Sequence, residues 1–195
     1  MKQKRGALNA KQQFNEASSY LRKSKNYIYV SIGLFIFSAV MGFIFKENLS
    51  VLNELIRKMI LESKGLNTWE MIMFILQNNF QVSVIVVISG ALIGLIPIFI
   101  ALSNGLVVGY VLALTSDAAG FASWWRLLPH GVFELPAIFI ALGLGIKLGF
   151  AFFTQKNQLQ EFKHRFYNSC NVLLMVVFPL LVIAAIIEGI LIALL

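Results

Sequence analysis

A single cysteine, Cys170, stands in the chain of 195 residues, so no intrachain disulfide can form. It has no second cysteine nearby to help hold zinc, and it reads as a small apolar residue near a helix start. Charge is scarce too: 13% of residues are Asp, Glu, Lys or Arg, against about 25% in soluble domains. Meanwhile 58% are hydrophobic and the mean hydropathy is +0.80. That balance excludes an ordinary water-soluble domain. No serine or cysteine stands beside a base in a pattern suited to nucleophilic catalysis, so no enzyme activity and no cofactor are expected. Histidine occurs twice, as His130 and His164, and the two are expected on opposite sides of a membrane.

What the chain does have is apolar length. A helix needs about 20 apolar residues to cross the roughly 30 Å hydrocarbon core. Runs at 27–45, 80–102, 130–153 and 172–195 approach or exceed that, the further run at 105–117 is short for a bilayer, and 69–79 reads as an interfacial piece. The fold class expected is an all-α polytopic membrane bundle of about five spanning helices with short amphipathic interfacial helices. Residues 1–26 form a basic segment and 27–195 one transmembrane domain. The region 69–115 leaves two placements open. Either the chain breaks around Ser103, Asn104 and Gly105, or Pro97 marks the turn and Asn104 lies in mid-helix.

Two stretches are amphipathic. Within 7–24, Leu8, Phe14, Ala17 and Leu21 sit among polar and basic residues, as in a helix lying on a membrane surface. In the insert 46–69, Val51, Leu52, Leu55, Ile56, Met59 and Ile60 recur at helical spacing opposite Glu54, Arg57, Lys58 and Glu62. Trp124 and Trp125 anchor a loop at 118–129, beside Arg126.

The net charge is +7, and its distribution matters more than its size. Seven of the sixteen Lys and Arg residues precede position 26, against one acid, Glu16. Such a cluster ahead of the first span marks a cytoplasmic N-terminus facing anionic headgroups rather than a nucleic-acid arm. The long basic region and the 19-residue run after it read as a retained anchor, not a cleaved signal peptide. A second basic segment, with Lys156, Lys163, His164 and Arg165, is expected on the same side, and five spans then put the C-terminus outside.

Small residues recur in pairs four apart: Gly90 and Gly94, Gly105 and Gly109, Gly145 and Gly149. Lipid offers no hydrophobic drive between helices, so such residues favour close helix contacts. Ionisable groups inside spans are expensive and face protein or a cavity. Lys147 is near enough to its helix end to snorkel. His130 and Glu134, four apart on one helix face, share an expected depth with Glu188 and with Asp117. Three readings stand: a buried polar lock, a solute or proton pathway, and a His-Glu-Glu metal site, which is chemically admissible but has no second histidine on the face.

The succession Asn78-Asn79, Gly90, Gly94, Asn104-Gly105, Gly109, Pro129-His130-Gly131 and Glu134 resembles the stage II sporulation protein M family. The stretch LPHGVFELPAIFIALGLGIKLG carries the likeness most closely. The resemblance implies an integral membrane protein without a catalytic site or metal, acting with peptidoglycan-degrading partners at the engulfing septum. It assigns the motif positions to Asn104, Gly105, Pro129, His130, Gly131 and Glu134.

Overall fold

The computed structural model describes residues 9–92, 94–126, 128–153 and 157–194; the side chains at 59, 60, 63, 123, 125, 126, 128–130 and 192–194 lie outside the description. Leu8, Lys156 and the side chains of Met59, Ile60, Trp125, Arg126, Pro129 and His130, all named above, therefore fall outside the described residues. The chain folds into α1 (Ala10–Lys23), α2 (Lys25–Ile44), α3 (Leu52–Ser63), α4 (Thr68–Ser89), α5 (Leu95–Ala119), α6 (Leu128–Gly149), α7 (Gln158–Val172) and α8 (Phe178–Leu194), with no strand among the described residues. Among the described residues five helices are long and apolar enough to cross a membrane: Lys25–Ile44, Thr68–Ser89, Leu95–Ala119, Gly131–Phe153 and Gln158–Leu191. The protein is an all-α, multi-pass membrane bundle.

Local chemistry explains the boundaries. Asn9 and Gln12 cap α1 reciprocally, and Asn67 and Glu70 do the same for α4 over 2.9 and 3.0 Å, each pair satisfying N–H groups that the first turn leaves free. α4 is one unbroken helix through Gln77, Asn78, Asn79 and Gln81, so the expected interfacial piece at 69–79 is part of a span. The break comes later, at 90–94, where Gly94 takes φ 73, a conformation open to glycine at little steric cost. Pro97 follows in the first turn of α5, where its missing N–H has no helical partner to lose. Ser103, Asn104 and Gly105 are helical within α5, and the Ser103 hydroxyl donates to the Phe99 carbonyl over 2.8 Å. The expected break at Asn104 is thus corrected in favour of the Pro97 alternative.

Packing centres on α6. Its spanning window is 61% buried, against 22–33% for the other four, which makes it the middle helix. Residues 141–149 are all buried. The glycines set the spacing. A Cβ on Gly90 would collide with the Gly145 backbone, and one on Gly109 with that of Ala39. α2 and α5 form the most extensive pair, with Gly42 of α2 pressed on Leu106 and Gly105 of α5 on Phe35. Gly33, by contrast, has nothing near it.

α7 and α8 are joined by a single π turn, Leu173–Val177, so the helical path is continuous. α3 is held to the bundle by Asn53, whose side-chain Oδ1 accepts from the Tyr110 hydroxyl over 2.7 Å. The Lys46 ammonium pairs with Asp117 at the same end.

Candidate functional site

Three mutually packed helices, α4, α6 and α8, bring together three half-buried polar residues, Asn79, Glu134 and Glu188. Glu134 lies in the second turn of α6, half-buried, with the Asn79 side chain of α4 as its hydrogen-bond partner and Glu188 of α8 within electrostatic reach. Gly189, next to Glu188, lets α8 close on Ile72 of α4. Glu134 and Glu188, expected from sequence at one depth, thus lie within electrostatic reach of each other. Asn79 was not expected there, although the buried residues Ile75, Ser83 and Val86 of α4 continue the helical stripe on which Asn79 falls.

The other sequence candidates scatter. Asp117 is turned to Lys46 and is not part of this group. Asn104 is half-buried in the middle of α5, and no hydrogen bond joins it to Glu134, Glu188 or Asn79 among the described residues. Gly105 serves close approach of α5 to α2. Among the described residues a Cβ on Gly131 would meet only Leu135 of its own helix, at 3.6 Å, so no contact with another helix is seen there. His130 and Pro129 lie on α6 just ahead of Glu134, their side chains outside the description. No group of three or more His, Cys, Asp and Glu converges among the described residues.

A second polar cluster sits at the other end of α6. Lys147 is 8% exposed, so it does not snorkel to water as its position near the helix end suggested. Its ammonium donates to the Ser24 hydroxyl over 2.9 Å and lies 3.7 Å from the centre of the Tyr20 ring. Arg165 of α7 donates to the Lys147 carbonyl over 2.6 Å and to Glu161 over 2.7 Å. Burial pushes the Tyr20 phenol up to about 12, and the Ser169 hydroxyl pulls the other way. The Lys147 ammonium is satisfied by the Ser24 hydroxyl and the face of the Tyr20 ring where water is excluded. The cluster locks α1 onto α6 and α7.

α1 is accordingly docked rather than free on a surface. Ala17 and Tyr20 are buried in the main core and Leu21 packs against it, while Phe14 stays exposed. The Asn171 amide donates to the Gln13 carbonyl over 2.9 Å. The last apolar run begins right after Asn171, so the start of α1 lies level with the start of that run.

No curated protein and no solved structure matches the chain. A family model, Stage II sporulation protein M, matches residues 31–191, most of the chain, and the chain belongs to that family.

Proposed function

We propose that this member of the Stage II sporulation protein M family is a non-catalytic membrane scaffold that recruits or positions envelope-remodelling partners, peptidoglycan-degrading proteins among them, as in septal engulfment. The observation that carries this reading is the closed interior: nine consecutive residues of α6, 141–149, are buried, and backbones touch at Gly90–Gly145 and Gly109–Ala39. A bundle so filled presents a rigid surface to partners rather than a path through itself. The charge bias supports a cytoplasmic α1 end and an outer C-terminus, with anionic headgroups as the bilayer partner and no nucleic acid.

Co-purification from native membranes in mild detergent tests the scaffold. A cell-wall hydrolase or another envelope protein is expected to stay bound; extracts that yield none remove the proposal.

A second reading, a transporter or channel using the polar group around His130 and Glu134, draws on Glu134, Glu188 and Asn79 facing one another across three helices. Flux through reconstituted vesicles that falls in Glu134→Gln would favour it over the scaffold.

A further inference from the structure

α1 carries a face that the locked cluster leaves unused. Asn15, Ser18, Ser19, Arg22 and Lys23 fall at i, i+3, i+4, i+7 and i+8, so they form one stripe along the helix. They line an open hollow of about 300 Å³. The two serines make the hollow, because their side chains are short between the longer Asn15, Arg22 and Lys23. None of the five side chains makes a hydrogen bond or ion pair to protein among the described residues. No acidic residue lines the hollow.

We propose that this stripe binds the phosphate headgroup of an anionic phospholipid in the adjoining leaflet. The donor set suits a phosphodiester: a guanidinium fork, an ammonium, two hydroxyls and an amide. The depth suits a lipid rather than a soluble ester. Gln13 is bonded to Asn171, just ahead of the apolar run that opens at Val172, and Lys25 opens α2 right after the stripe. Both ends of α1 thus sit beside the starts of apolar runs, which is where a bilayer would place its phosphates. The docked face, with Ala17 and Tyr20, holds the stripe outward. α1 precedes the residues matched to the family, 31–191, and this inference stands whether or not the scaffold reading does.

The test uses the full chain in mild detergent, with bound lipid counted by native mass spectrometry against added phosphatidylglycerol or phosphatidylcholine. Phosphatidylglycerol is expected to be retained and phosphatidylcholine lost. The double variant R22Q/K23Q is expected to weaken phosphatidylglycerol binding about tenfold to thirtyfold, and S18A/S19A about fivefold with the charge intact. The charge-matched control K58Q/K64Q, at the far end of the bundle, is expected to bind as the wild type does. Circular dichroism of each variant checks the fold. Equal retention of the two lipids overturns the proposal, as does a control that loses as much as R22Q/K23Q. So does full binding by S18A/S19A, which would mean loose charge attraction. Displacement of the lipid by free glycerol phosphate would reassign the stripe to a soluble phosphate ester.

Discussion

The Lys147 ammonium of α6 meets the Ser24 hydroxyl over 2.9 Å at the joint between α1 and α2, and Ser24 in turn donates to the Tyr20 carbonyl over 2.8 Å. One side chain of the middle helix therefore fixes the angle at which the N-terminal helix leaves the bundle. Replacing it with an uncharged chain of similar length, Lys147→Met, removes a charged hydrogen bond and a cation–ring contact together, about 1–3 kcal/mol of docking. Hydrogen exchange is expected to speed up across 10–23 and stay slow in α4 and α8. Unchanged protection of 10–23 would show that the joint is held by something else.

The same joint responds to alkali. A phenol raised from 10.0 to about 12 by burial holds its proton more tightly when α1 is docked than when it is released. Its contribution is thus full below pH 10 and is lost as pH rises through about 12. Absorbance titration of tyrosinate is expected to show one late-titrating group that disappears in Tyr20→Phe. Loss of α1 protection above pH 10 is expected in the wild type and should be blunted in that variant.

Two glycine substitutions separate contact from composition. Gly109→Ala drives a methyl into the Ala39 backbone, which cannot step aside as a side chain would, and a cost of about 1–3 kcal/mol is expected. Gly33→Ala meets nothing within 4 Å and is expected to leave the melting temperature in detergent unchanged or slightly raised. Equal melting temperatures for both variants would contradict the close α2–α5 contact.

Asn79 and Glu134 form the fourth test. Glu134→Gln keeps a hydrogen-bonding side chain opposite Asn79 and is expected to be tolerated, whereas Glu134→Leu and Asn79→Leu each lose the pair. The double-mutant cycle is expected to show a coupling of about 0.6 kcal/mol, with an upper end near 1.7. A coupling indistinguishable from zero would mean that the two side chains do not act together.

Hydropathy and glycine spacing made much of this architecture legible. Spans carry their length in plain view, and the pairs Gly90/Gly94, Gly105/Gly109 and Gly145/Gly149 all lie where helices close on one another or on a backbone nearby. The turn at 90–94 was not legible from polarity, because Gly90, Ala91, Leu92 and Gly94 are as apolar as the spans around them. Its mark was conformational, a glycine with positive φ. The amides at 77–81 misled in the opposite direction, since polar side chains inside a helix read as an interface when their partner on another helix is unseen. For the same reason Asn79 escaped notice as the mate of Glu134: depth follows from sequence position, but the rotation of one helix against another does not. Lys147 shows this too. Its place near a helix end said water was in reach, while α1 folding over it was invisible from α6 alone.

The π turn at Leu173–Val177 has a consequence for how α8 is phased. It holds one residue more than an α turn would, so everything after it is rotated by about 100° from a regular continuation. Deleting any one of the five would unwind that offset. Gly189 would swing off Ile72 and Glu188 away from Glu134, with hydropathy and span length almost untouched. Five greasy letters without a polar atom among their side chains thereby govern where the last acid of the chain points.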